Sequence, residues 1–185
     1  MTHKLPKLTL QRLAAIAAVL ALLIIVENYF TLKFSDSLQF QFTFIPYAIL
    51  GAIAGPVWGG IASIGADVIG NTMNTSQFLI GFVLIEAVKG LIYGWFYYQK
   101  PLDSQDKKDW FYVGAVVLLL QLVISFGLTP VVLHTSWGTP LEVLYTTRLI
   151  KAPFEITLQV MGTMLIIPQL QRIPELRKLM GLSKK

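Results

Sequence analysis

The chain has 185 residues, 55% of them hydrophobic and only 14% charged, with a mean hydropathy of +0.64. Soluble domains average about 25% charged residues, so this balance argues against a water-soluble domain and for a polytopic membrane protein. The formal charge of +5 sits at the ends of apolar runs and not in a patch, which argues against nucleic acid as a partner; with no cysteine, disulfide and thiol chemistry are excluded, and two histidines leave little for a zinc site.

The first apolar run is "LAAIAAVLALLIIV", residues 13–26, behind Lys4, Lys7 and Arg12. A basic start and a short apolar centre also describe a signal peptide, but no polar cleavage region follows, so the run is read as a membrane helix. Residues 27–42, "ENYFTLKFSDSLQFQF", are polar, rich in Phe and partly alternating, as expected of a loop or short hairpin over the membrane surface. From 43 to 72 the chain is apolar except for Asp67. One helix of that length would span about 45 Å, against about 30 Å for a bilayer core. "AGPVWGG", residues 54–60, supplies a break and predicts two short helices, about 43–55 and 57–71. The polar loop 71–77 leads to a span at 78–98, and the solvated loop 99–109 to a span at 110–133. The loop 134–142 precedes a last helix at about 141–170, and a basic tail, 171–185, is expected at the membrane surface.

The expected fold is an all-α integral membrane protein: six transmembrane helices in one compact bundle, one domain over 1–185 with its core at about 8–170. Six helices put both termini on one side. That side carries eleven of the fifteen Lys and Arg residues, the exceptions being Lys33 on the other side and Lys89, Arg148 and Lys151 inside helices. The positive-inside rule then places both termini in the cytoplasm and the long first loop outside. There is no two-half internal repeat of the transporter type. A Gly loop ending in GK[ST] is absent too, so the chain carries no nucleotide-hydrolysis motif of its own.

The last helix holds "RLIKAPFEITLQ", in which Arg148, Lys151, Glu155 and Gln159 recur every three or four residues and share one face. A charge at mid-membrane is disfavoured by about 2.5–3.5 kcal/mol, so such groups face a cavity or one another. Lys151 and Glu155 are therefore either an internal ion pair or part of a ligand site. Glu86 and Lys89, three apart in the 78–98 span, pose the same alternative. Asp67 sits near an outer helix end, to contact a ligand or to cap the loop around Asn71 and Asn74. His134 reads as a capping residue or a ligand contact, and Trp137 as an interfacial residue or a platform for a flat ring. Gly81, Gly90 and Gly94 suit close helix packing, as do Ala14, Ala18 and the second pair, Ala17 and Ala21.

Together, the Ala-rich first helix with its AxxxA spacing, "LGAIAGPVWGGIASIGADVIGN", "FLIGFVLIEAVKGLIYGWFYY" and "TTRLIKAPFEITLQ" resemble the substrate-binding S components of energy-coupling factor (ECF) vitamin transporters over about residues 8–170. "RLIKAPFEI" is most similar to the folate-type members. The resemblance implies a subunit that captures a vitamin from outside, under the first loop as a lid, with no cofactor. It also implies docking on one transmembrane coupling protein and two ATPases in the cell membrane, through a surface that carries over to Ala14 and Ala18. Ala17 and Ala21 leave the register of that contact open.

The candidate ligand-facing residues are Asp67, Asn71, Asn74, Glu86, His134, Trp137, Arg148, Lys151, Glu155 and Gln159. A pterin's adjacent N–H donors match a carboxylate, whether Asp67, Glu86 or Glu155, and the two carboxylates of a folate tail match Arg148 or Lys151. The same groups suit another polar vitamin such as pantothenate. A membrane enzyme using Glu86 and Glu155 as acid and base, and a solitary transporter, are the rival readings. No nucleophile–base pair or metal-ligand spacing supports the first of these.

Overall fold

The computed structural model describes residues 6–33, 39–73 and 80–182. Helix α1, Leu10–Tyr29, starts at Thr9, whose hydroxyl accepts the Arg12 N–H at 3.3 Å. Arg12, Ile16, Val19 and Leu23 form its buried line, while Ala14, Ala17, Ala18 and Ala21 are exposed on the other side. The helix runs on through Glu27, past the expected end at 26, because no Gly or Pro interrupts it there. A two-stranded antiparallel hairpin follows, β1 (Thr31–Lys33) on β2 (Gln39–Gln41), with Leu32 opposite Phe40. Of the loop and the hairpin expected over 27–42, the hairpin forms.

Helix α2, Phe44–Met73, is broken where the sequence places the break. Gly55 leaves helical geometry at φ 71° and ψ −176°, immediately before Pro56. Proline cannot donate its backbone N–H and crowds the preceding turn, and glycine tolerates the positive φ that the bend requires. The break packs beside Pro6 and Tyr98 at one end of the molecule, whereas Tyr47 and Asp67 line the same cavity at the other. The two arms of α2 therefore run in opposite directions.

Helix α3, Ile80–Tyr97, packs along both arms of α2 through glycines. A Cβ on Gly94 would collide with the backbone of Gly55 and Pro56, and one on Gly90 with Gly59 and the Ser63 hydroxyl. Gly81 serves the same end against Val132. Small residues let membrane helices approach until their backbones touch, and dispersion contacts replace the hydrophobic drive that lipid cannot supply.

The next span is continuous from 107 to 137. Asp106 caps α4, Lys107–Leu120, its side chain accepting the Lys108 N–H at 2.9 Å, so the helix begins before the expected Trp110. A π-helical stretch, Gln121–Leu128, joins α4 to α5, Thr129–Trp137. At its end the Thr129 N–H bonds the Ile124 carbonyl five residues back, and the Thr129 hydroxyl bonds the same oxygen at 2.7 Å. Pro130 follows, with no N–H to continue an α ladder. Gly138, at φ 66°, ends α5 in the left-handed conformation.

Helix α6, Leu141–Leu170, matches its expected bounds and passes through Pro153 and Pro168. A short α7, Pro174–Leu179, then turns back on the base of the bundle. The buried Arg12 guanidinium bonds the carbonyls of Lys7 and Leu179 at 2.6 and 2.7 Å, Gln171 bridges Leu102 and Lys100, and Met180 is fully buried. Among the described residues, five helices are long and apolar enough to cross a membrane: α1, α2, α3, the 107–137 span and α6.

Candidate functional site

At the end of the bundle opposite Arg12 lies a cavity of about 580 Å³, walled by all five of these helices. Asp67, Asn71, Glu86, Trp137, Arg148, Lys151, Glu155 and Gln159 line it. The polar stripe read from the spacing of α6 thus faces one cavity, with Thr147 above it. His134 stands outside the wall, exposed, with its Nδ1 2.9 Å from the Thr139 carbonyl oxygen. Asn74 falls outside the described residues. Ala14 and Ala18 lie on the exposed side of α1, away from the cavity.

One wall is rich in carboxylates. Glu86 accepts the Tyr47 hydroxyl and pairs with Lys89 at 2.5 Å. The Lys89 ammonium also lies 5.3 Å over the Tyr47 ring, and that ring stacks on Tyr93 with centroids 5.7 Å apart. Asp67 and Asn71, one turn apart on α2, both line the cavity. The Asp67 Oδ2 oxygen is buried with no hydrogen-bond partner among the described residues. Glu27, at the end of α1, opens on the same space. Against three carboxylates this wall sets one cation.

The α6 wall is weighted the other way. Glu155 pairs with Lys151 at 3.1 Å through one oxygen and accepts from Gln121 Nε2 at 2.8 Å through the other. Arg148 donates to the Ser125 hydroxyl at 3.4 Å, and its Nε has no partner among the described residues. Of the two alternatives posed by the sequence, the internal pairs form, Glu86–Lys89 and Lys151–Glu155, and both pairs border the cavity. Pairing is how a membrane interior tolerates such charges. Trp137 packs on Phe82 with centroids 6.0 Å apart, at the rim.

The candidate residues read from the sequence do not include Glu27, Tyr47, Gln121 and Ser125, nor Tyr93, although its spacing puts it on the face of Glu86 and Gly90. Gln121 had a signal, as the lone amide in "VVLLLQLVISF", and Glu27 was assigned to the loop that α1 overruns. Tyrosine and serine are common in membrane helices, so Tyr47 and Ser125 carried none. Among the described residues no three His, Asp or Glu side chains are placed to hold a metal ion.

Comparison with known proteins gives this geometry a context. The model of the family "ECF transporter, substrate-specific component" matches residues 11–171. The folate transporter FolT of Streptococcus mutans serotype c is 38% identical over 177 residues, covering 95% of each chain. The FolT of Clostridium novyi is 31% identical over 136 residues, covering 71% of this chain and 76% of its own. A crystal structure of FolT bound with folic acid superposes with a TM-score of 0.74 at 31% identity, covering 84% of this chain and 91% of that one. A transporter's substrate-specific component binds and does not catalyse, and its apolar helices make it a multi-pass membrane protein. The chain belongs to the family of substrate-specific components of ECF transporters.

Proposed function

We propose that this protein is the folate-binding subunit of an ECF-type importer. The observation that carries the reading is the residual polar capacity of the cavity wall. Glu86, Lys89, Lys151 and Glu155 are committed to one another or to Tyr47 and Gln121, whereas Asp67 Oδ2 and Arg148 Nε are buried without a partner among the described residues. An unsatisfied buried charged group is costly, so these two are the groups that a ligand would satisfy. Folate carries both complements: a pterin edge of N–H donors for Asp67, and tail carboxylates for Arg148. Asn71, Glu86, Trp137, Lys151, Glu155 and Gln159 complete the wall, while His134, outside it, and Asn74, outside the described residues, remain candidate contacts by sequence alone. The folate transporters to which the chain is similar support the same ligand.

Counting the arms of α2 separately makes six membrane segments with both termini on one side. Lys7, Arg12, Lys100 and the basic tail gather at the Arg12 end, so that end is cytoplasmic and the cavity opens outside. The hairpin begins at Thr31, two residues after α1 ends at Tyr29 and four after the cavity-lining Glu27, which suits it as the lid. The exposed Ala14 and Ala18 face of α1 is the docking surface for the coupling protein, whose two ATPases drive release inside. The test is calorimetry on the purified protein in detergent with folic acid, a reduced folate and pantothenate. One-to-one folic acid binding is expected; pantothenate binding without folate binding would sink the ligand assignment and leave the family membership intact.

A further inference from the structure

Gln121, Ser125, Thr129, Leu133 and Trp137 all line the cavity, each four residues from the last. An α-helix turns about 100° per residue, so in α geometry this spacing drifts by about 160° from first to last. Gln121 and Trp137 would then point to nearly opposite sides. The π stretch Gln121–Leu128 removes that drift. Bonding five residues back turns the chain about 80° per residue, which over eight residues takes back about 160°. One face of the 107–137 span thereby stays on the cavity as far as its outer end.

We propose that Gln121 and Ser125 set the ligand preference of the site, Gln121 by fixing Glu155 and Ser125 by aiming Arg148 at a ligand carboxylate, while the π stretch keeps Thr129, Leu133 and Trp137 on the same cavity face beyond them. Both side chains are buried, at 7% and 9% exposure. Gln121 and Lys151 take one oxygen of Glu155 each, so neither oxygen is hydrogen-bonded to Arg148 among the described residues. Ser125 holds one terminal nitrogen of the guanidinium and leaves the Nε edge open, and that edge matches a carboxylate in two parallel hydrogen bonds. Gln121 and Ser125 are positioning residues that act through Glu155 and Arg148. The carboxylate half of this inference rests on the folate reading; the register half does not.

Two measurements on the full chain separate these halves. The chain has no cysteine, so single cysteines introduced from 121 to 133 report accessibility directly. With a charged, water-soluble maleimide, the π register labels positions 121, 125, 129 and 133, while the outward Leu122 and Val131 positions stay slow. Labelling at 121, 125, 128 and 132 is the α-helical pattern and overturns the register. The second measurement titrates folic acid and pteroic acid, which is folic acid without its glutamate. Ser125→Ala and Gln121→Leu each lower folic acid affinity about tenfold and leave pteroic acid within about twofold, and Ser125→Thr restores the difference. Equal loss for both ligands, or no loss, overturns the positioning role. Wild-type protein that binds neither ligand overturns the folate reading and the carboxylate role of Arg148, while the labelling pattern still decides the register.

Discussion

Asp67 and Glu86 face one cavity from adjacent helices, yet their surroundings assign them different work. Glu86 pairs with Lys89 and accepts from Tyr47, so removing its charge takes away the direct ion-pair partner of a part-buried ammonium. Asp67 has a buried oxygen, Oδ2, without a hydrogen-bond partner among the described residues. Glu86→Gln is therefore expected to destabilise the ligand-free protein on the order of 2 kcal/mol, visible as a melting temperature several degrees lower. Asp67→Asn is expected to leave the melting temperature within about a degree and to weaken folic acid binding by about 1.5–3 kcal/mol, tenfold or more in Kd. Thermal shift and calorimetry on both variants check this, and a reversal of the two effects would exchange the roles. The charged members of the site were legible because a lone charge in an apolar run is costly and so conspicuous. Tyr47 and Ser125 were not, because a hydroxyl in a membrane helix costs little and signals nothing until its partner is known.

The α2–α3 pair depends on having no side chain where the backbones meet. A Cβ at Gly94 meets the backbone of Gly55 and Pro56, and backbone cannot step aside as a flexible side chain can. Gly94→Leu is expected to abolish monodisperse protein in size-exclusion chromatography. Gly114→Ala, with nothing within 4 Å of the added Cβ, is expected to elute and melt like wild type. The broken α2 was readable from "AGP" together with the mismatch between thirty residues and a bilayer's thickness. The π stretch was not: its residues are as apolar as those of any spanning helix, and Pro130 alone also permits a kink or a helix start.

The molecule separates its tasks by end and by side. The cavity and its charged side chains lie at one end of the bundle, and Arg12 ties Lys7 to Leu179 at the other. The small-residue face of α1 looks outward from both. Bulky substitution there, Ala14→Leu or Ala18→Leu, is expected to leave folic acid binding to the isolated subunit unchanged and to abolish folate uptake in cells that carry the coupling module. Normal uptake by both variants would place the docking surface elsewhere.

Composition and spacing were enough to establish a membrane protein, its spans, the break in α2, the charge asymmetry between its two sides and the polar stripe of α6. All of these follow from the cost of placing single residues in lipid and from the pitch of one helix, which are local properties. Which charges neutralise one another and which stay available to a ligand is not local. Tyr47 meets Glu86, Gln121 meets Glu155 and Ser125 meets Arg148 across 39, 34 and 23 residues of chain. Those pairings exist because glycines seat α3 on α2 and the 107–137 span packs against α6, and both depend on how the helices pack.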